Sequence, residues 1–411
     1  MTGDAPPKPG PLAGIKVLDL SRVLAGPWCS QMLGDFGAEV IKVEQPGQGD
    51  DSRKWGPPFI EDGSGDSAYY VSANRNKRAI AVNLAEPEGA ALIRRLAAKA
   101  DIVLENFRVG ALAKYGLDYA ALSAINPRLI YCSISGFGQT GPLKQKGGYD
   151  FLIQGMSGLM SVTGLPDGEP GGGPMKVGTS VVDLSTGLYA TIAVLAALNH
   201  RNQTGEGQQL DVSLLDSQLA LLANHSSSWL NGAVEPKRMG NQHPNVVPYQ
   251  LFKCADGEVL VALGNDRQFR DFCTLLGRAD LAADPRFTTS AGRSQTREPL
   301  LVALSAATAR WAALDLIAAL DQAGLPVGTV NTIPQMLAHE HVAARELVQT
   351  LTRADGTEVH FTGFPAKFSA SPVSYRHAPP RIGEDTAAVL SSELGLSDEE
   401  LARLAAAGII A

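Results

Sequence analysis

The sequence predicts an α/β protein: a large domain built on an open parallel sheet with flanking helices, and a smaller α+β domain. Three observations carry this. Short apolar runs alternate with helix-period stretches over the first 140 residues, and strands separated by helices need crossover connections, which favour a parallel sheet. The length, 411 residues, corresponds to about two to three domains. After Asn231 the texture changes to a hairpin followed by helices.

The elements follow in order. Ile15–Leu20 (IKVLDL) is a strand bounded by Gly14, and Pro27–Phe36 a helix with Pro27 in its first turn. Glu39–Val43 alternates like a strand. Pro87–Ala100 sets Ala90, Ile93, Leu96 and Ala97 on one helical face. Ile102–Leu104 and Leu129–Ser133 are strands. Leu184–His200 is a helix whose Leu184, Leu188, Ile192 and Leu195 are expected to pack inward. Gln209–Val212 is a strand and Leu214–Trp229 a helix. Val247–Cys254 and Glu258–Leu263 flank an Asp256-Gly257 turn, a hairpin signal. Helices are expected over Arg267–Leu276 and Leu300–Ala323, a strand over Val359–Thr362, a Pro-rich loop over Pro365–Pro380, and an acidic helix near the C-terminus. The expected domains are a loose arm over 1–11, the large domain over 12–225, the small domain over 226–330, and a return to the large domain over 331–411.

Composition bounds the function. Hydrophobic residues make up 45% and charged residues 19%, which excludes a disordered chain, a coiled coil and a collagen. A net charge of -7 argues against nucleic acid as partner. No uninterrupted apolar run reaches the ~20 residues of a membrane span, and the N-terminus lacks a signal-peptide pattern. Cys29, Cys132, Cys254 and Cys273 are far apart, which points to a reducing cytoplasm rather than a disulfide framework or zinc site. His339 and His341 do not share a helix face, so no metal is expected.

Four segments can carry chemistry. A literal G-x-G-x-x-G at Gly136, Gly138 and Gly141 follows a strand, but Pro142 and a polar stretch follow, where a dinucleotide fold needs a helix. A loop admitting a ligand close to backbone is the better reading. Arg22–Pro27 follows the first strand, at the carboxyl end of the sheet where ligands bind in such folds. Asn74–Arg78 clusters three cations, and Asn106-Phe107-Arg108 follows another strand; both suit a phosphorylated ligand, or are solvated loops. Asp183 opens a helix and is by position an N-cap, worth ~1 kcal/mol. The same place suits a nucleophile. Burial strips water from the carboxylate and raises its pKa, and the helix N-terminus is expected to oppose that rise and keep it ionised near pH 7.

Taken together, GIKVLDLSRVLAGP (14–27), LGDFGAEVIKVEQPGQGDDSR (33–53), NRNKRAIAVNL (74–84), ENF (105–107), YCSISGFGQTGP (131–142), GGYD (147–150), VVDLSTGLYA (181–190) and TGEGQQLDVSLLDSQ (204–218) resemble the class III coenzyme A transferases. VPYQLFKCADGEVLVALGN (247–265) and AGLPVGTVNT (323–332) extend the resemblance. Within that family the chain is most similar to the succinyl-CoA:dicarboxylate type, succinyl-CoA:glutarate enzymes among them. The resemblance implies Asp183 as nucleophile, passing through a mixed anhydride and an aspartyl-CoA thioester, with no metal and no cofactor beyond the coenzyme A thioester substrate. It maps coenzyme A contacts onto Val23, Ala25, Asn76, Lys77, Arg78, Asn106, Phe107, Arg108, Lys146 and Tyr149. It also implies an interlocked homodimer. Leu24 stands where formyl-CoA:oxalate enzymes carry Gln, and an Arg near Pro46 is missing, which argues against oxalate as acceptor; their glycine-rich loop is partly kept at Gly264-Asn265-Asp266. Arg22 and Arg53 are candidates to hold a distal carboxylate, with structural ion pairing as the alternative. A 2-methylacyl-CoA racemase is the rival activity, but Tyr149 stands where such enzymes carry a His, and a phenol of pKa ≈ 10 is a poor base near neutrality. A catalytically inactive coenzyme A-binding partner subunit is the rival of another class.

Overall fold

The structure is a computed structural model describing residues 9–411. Residues 1–8 of the expected arm lie outside the described residues; by Leu12 the backbone is fixed, its N–H donating to Phe36 O at 2.8 Å.

The chain forms two compact units. The first comprises described residues 9–159, 177–230 and 343–411; the second comprises 160–176 and 231–342. In chain order the first unit begins β1 (Lys16–Asp19), α1 (Ala25–Asp35), β2 (Glu39–Glu44), β3 (Lys77–Ala81), α2 (Pro87–Ala97), β4 (Ile102–Glu105), β5 (Ile130–Ser135), α3 (Asp150–Met156), α4 (Val181–Thr204), β6 (Gln208–Ser213) and α5 (Leu214–Leu221). The six strands make one parallel sheet in the order β3-β2-β1-β4-β5-β6. The order reverses between β1 and β4, which creates a crevice at their carboxyl ends.

Alternate strand residues feed two cores. Leu18, Ile41, Ile80 and Val103 meet α2 and the C-terminal helices on one face. Val17, Val40, Ile102 and Ile130 meet α1 and α4 on the other. Both faces are therefore dry, which is why the strands read as apolar runs. The expected inward stripe of α4 is corrected here: Leu188 and Ile192 are exposed. The buried side of α4 carries small residues through its middle, Gly187, Ala190, Val194 and Ala197, before Leu198 and Arg201. A Cβ on Gly187 would stand 2.8 Å from Ala25 O, so α1 and α4 approach too closely for large side chains at their contact. By length and composition α4 could cross a membrane, but half of it is buried in this unit.

The second unit carries β7 (Tyr249–Lys253), β8 (Glu258–Ala262), α6 (Asp266–Leu275), α7 (Arg297–Thr308), α8 (Ala313–Gln322) and β9 (Val327–Gly328). The hairpin at Asp256-Gly257 and β9 form an antiparallel sheet over a core of Phe252, Phe269, Phe272 and Phe287. The helix expected over Leu300–Ala323 is instead two, bent by 108° between Thr308 and Ala313. Asp256 sets the start of the second by accepting Ala313 N–H at 2.7 Å.

The chain then returns to the first unit with the hairpin β10 (Val348–Thr352) and β11 (Glu358–Thr362), followed by α9 (Thr386–Leu394) and α10 (Asp398–Ala406). This return closes the β3 edge of the sheet. Ala79 N–H donates to Asp385 Oδ2 at 2.8 Å, Ala81 N–H to Thr386 Oγ1 at 3.0 Å, and Val82 bridges Ile410.

Candidate active site

A cavity of about 240 Å³ opens at the reversal of strand order. Its walls are Arg22–Ala25 after β1, Asn106–Val109 after β4, the end of β5 with Gly136, the segment 144–149, Asp183 and Leu214. Arg22, Arg108, Lys144 and Lys146 outnumber Asp51 and Asp183, so the cavity favours an anionic ligand.

The β1 loop is fixed by a buried charge network. Asp19 accepts Ser21 N–H at 2.9 Å and the Ser30 hydroxyl at 2.5 Å. Val23 is held in the left-handed region (φ 72°), which is strained for a β-branched residue. Its N–H is taken by the Asp50 carboxylate at 3.0 Å. Asp50 also receives Lys42 Nζ at 2.9 Å and the Ser52 hydroxyl at 2.7 Å. Burial alone would raise the Asp50 pKa, but the Lys42 charge and these hydrogen bonds bring it down to about 2. Arg22 and Asn106 tie the β1 and β4 loops together through reciprocal amide bonds of 2.9 and 2.7 Å.

Of the residues expected to touch coenzyme A, Val23, Ala25, Asn106, Phe107, Arg108, Lys146 and Tyr149 line this cavity beside Asp183. Asn76, Lys77 and Arg78 do not. Residues 77–81 are not a loop but the edge strand β3. Lys77 is buried and its Nζ is spent on Asp19 (3.2 Å), Pro27 O (3.0 Å) and Asn74 Oδ1 (2.9 Å). Burial outweighs the Asp19 charge and brings its pKa down to about 8. Asn76 Nδ2 donates to Asp35 and to Ser374 O. Arg78 pairs with Glu39 and Glu393, beside the amino end of β2 and away from the strands' carboxyl ends. Arg53 is likewise corrected as a carboxylate-holding candidate. It is 3% exposed, with Glu44 and Asp66 at 2.8 and 2.6 Å. Arg22 does reach the cavity, over the Phe107 ring at 5.2 Å.

Asp183 is not the cap of its helix. Ser180 occupies the N-cap position without a side-chain bond, and the capping oxygen comes from Asp150 on α3. Asp150 Oδ2 accepts the N–H groups of Val182 at 2.8 Å and Asp183 at 3.2 Å. Burial, then the Asp150 charge, pushes the Asp183 pKa up to about 7. Desolvation first, and the Asp150 charge second, thus oppose the positive potential of the helix end at this group. Asp150's part has no signature in residue types, since its partners at the helix end are backbone groups.

The first glycine of the G-x-G-x-x-G run also finds its reason. A Cβ on Gly136 would stand 2.7 Å from Gly148 Cα, so two backbones pass in contact at the cavity wall. Gly136→Val is expected to separate them and displace Lys146 and Tyr149. Acyl-CoA KM should rise about tenfold or more in steady-state kinetics, with a stability loss of about 1–3 kcal/mol from the overpacking; an unchanged KM would detach this wall from the site.

Two further cavities adjoin. One of about 160 Å³ shares Arg22 and Phe107 and is lined by Leu20, Val43, Val82, Leu84 and Tyr115. The other, about 500 Å³, shares Leu24 and is lined by Trp28, Tyr69, Ser180, Leu184 and β11 residues including His360. Ser180 and Leu184 flank Asp183 in sequence, and Tyr69 lines the same cavity as Ser180.

The family model described as CoA-transferase family III matches residues 12–386. Succinate–glutarate CoA-transferase of Agrobacterium fabrum is 47% identical over 391 residues, 94% of this chain and 97% of that protein. Human succinyl-CoA:glutarate CoA-transferase is 40% identical over 405 residues, 97% of this chain and 90% of that one. Among solved structures, a CAIB/BAIF family protein from Brucella suis superposes with a TM-score of 0.82 at 45% identity, covering 94% of this chain and 100% of the other.

Proposed function

The chain belongs to CoA-transferase family III, and from that premise we propose that it moves coenzyme A from an acyl-CoA, succinyl-CoA first among donors, to a small carboxylic or dicarboxylic acid. The observation that carries this reading is the half-buried Asp183 carboxylate in the wall of a cationic cavity, its pKa pushed up to about 7 by desolvation and the Asp150 charge. Half ionised near neutrality, and stripped of much of its water, it is a stronger nucleophile than a solvated carboxylate.

In the proposed reaction an Asp183 oxygen attacks the thioester carbonyl. The C–S bond breaks and the coenzyme A thiolate leaves, giving an aspartyl-acyl anhydride. The thiolate then attacks the aspartyl carbonyl, releasing the donor acid and leaving an aspartyl-CoA thioester. The acceptor carboxylate attacks that thioester, the thiolate leaves again, and its return to the acceptor's acyl carbon yields the new acyl-CoA and free Asp183. One thioester is exchanged for another, so neither metal nor redox cofactor is needed. Arg22, Arg108, Lys144 and Lys146 suit the phosphates. The slot between Val82, Leu84, Phe107 and Tyr115, edged by Glu44, Gln45 and Asp50, suits the adenine ring, and the cavity beside Ser180 and Leu184 suits the acyl chain.

The relatives' names favour a dicarboxylate acceptor. We also propose a homodimer: Leu188, Tyr189 and Ile192 on α4, with Phe151 on α3, form an exposed apolar strip that a second copy would cover. Free thiols at Cys29, Cys132, Cys254 and Cys273 fit a cytoplasmic protein. The test is mass spectrometry of coenzyme A products with succinyl-CoA and a panel of mono- and dicarboxylates. A new acyl-CoA formed with free succinate is the expected result and names the acceptor. No new acyl-CoA from any acid would defeat the reading.

A further inference from the structure

We propose that Asp150 is a positioning residue for Asp183, capping the N-terminus of α4 from outside so that the Asp183 carboxylate stays free to face the cavity. The inference rests on the nucleophilic role proposed above. An aspartate in the first turn of a helix can fold its carboxylate back onto the unpaired N–H groups there. In α4 those of Val182 and Asp183 are already donated to Asp150 Oδ2, and Ser180 adds no cap of its own. The capping arm is itself braced. Asp150 Oδ1 receives Gln154 Nε2 at 2.6 Å, and Gln154 Oε1 receives the N–H of Val177 at 2.8 Å. Helix α3 thus grips the 177–183 segment at two points, one of them the peptide that carries the nucleophile.

The arm brings a second effect because it is charged. Asp150 faces Asp183 across the helix end and disfavours its ionisation, adding to burial. The other titratable groups near Asp183 are Tyr69, behind Ser180, and on the cavity side Asp51, Tyr149 and the cations Arg22, Arg108, Lys144 and Lys146. Asp150 differs from all of these in holding the helix end, and an amide can replace its charge while keeping an acceptor oxygen for the same N–H groups.

The test compares Asp150→Asn, which keeps one acceptor oxygen for the helix N–H groups, removes the charge and gives up the bond from Gln154, with Asp150→Glu, which keeps the charge and changes the reach. Two readouts are used: the pH dependence of kcat/KM, and the 13C titration of the Asp183 carboxyl, assigned by its loss in Asp183→Asn. In Asp150→Asn both midpoints should fall by about one pH unit, with acyl-CoA KM within about twofold. In Asp150→Glu the 13C midpoint should stay and kcat should fall about 10–100-fold, because the misplaced cap shifts the nucleophile. An unmoved midpoint in Asp150→Asn, or wild-type kcat in Asp150→Glu, would overturn the proposal. Should Asp150→Asn fail to fold, the Asp150→Glu turnover decides. If the wild-type protein transfers coenzyme A to no acid, the functional reading fails, while the 13C midpoints still test Asp150.

Discussion

Asp183→Ala is expected to bind acyl-CoA nearly as well as the wild-type protein and to turn it over about 10 000-fold more slowly or worse. The binding walls come from the β1 and β4 loops, which are fixed by Asp19, Asp50 and Asn106 rather than by the Asp183 side chain. Removing that carboxylate deletes the attacking atom, for which the cavity holds no substitute at the same place. Single-turnover assays read the chemistry and calorimetric titration with acyl-CoA reads the binding. Wild-type turnover would remove Asp183 from the mechanism, and loss of binding alone would make it a ligand contact. The pH profile follows with a definite sign. Attack needs the deprotonated form, and the pKa is raised to about 7. So kcat/KM of the wild-type protein should fall tenfold per unit as pH drops below about 7, and level off above it.

The second large effect is on stability. Arg53 is enclosed: Glu44 binds it through two oxygens at 2.8 and 3.2 Å, Asp66 at 2.6 Å, and its guanidinium lies 3.7 Å from the centre of the Tyr70 ring. Asp66 in turn holds Arg353 at 2.9 Å, so the ladder joins the N-terminal half of the unit to the returning hairpin. Arg53→Met keeps most of the bulk but leaves Glu44 and Asp66 buried with less compensation. Breaking one partner of such a network costs about 3–5 kcal/mol, or roughly 5–10 °C in melting temperature. Scanning calorimetry checks this; a loss under ~1 kcal/mol would mean the carboxylates find water or other partners. Arg22→Met, exposed at the cavity rim, should leave the melt unchanged.

These two residues also mark how far the sequence could be read. Strands β1, β2, β4 and β5 were legible because both faces of the sheet are buried and the apolar runs say so. Strand β3 was hidden, since KRAIA opens on two cations. One of them, Lys77, is there to neutralise Asp19 inside the protein, a pairing of residues 58 apart in sequence. The same pairing made Asn74–Arg78 look like a ligand loop. Arg53 misled for a similar reason, as charge in a sequence does not tell whether its partner is substrate or Glu44. The loops after β1 and β4 were found by the rule that places ligands at carboxyl strand ends. Asp150 was out of reach, because a side chain that binds backbone N–H groups 32 and 33 positions away leaves no pattern of residue types.

The late closure of the β3 edge has a consequence for synthesis on the ribosome. The groups that satisfy Ala79 and Ala81 lie 306 and 305 residues further along the chain. At roughly 5–20 residues per second, the edge waits some 15–60 s after its own emergence before Asp385 and Thr386 exist. Throughout that interval a strand with unpaired N–H and C=O groups is open to pairing with neighbouring chains. Residues 231–342 emerge within the same interval and carry their own core. Shortening the chain before Asp385 should therefore yield aggregation of the nascent product rather than a smaller folded protein, and slowing synthesis should lengthen the dependence on chaperones.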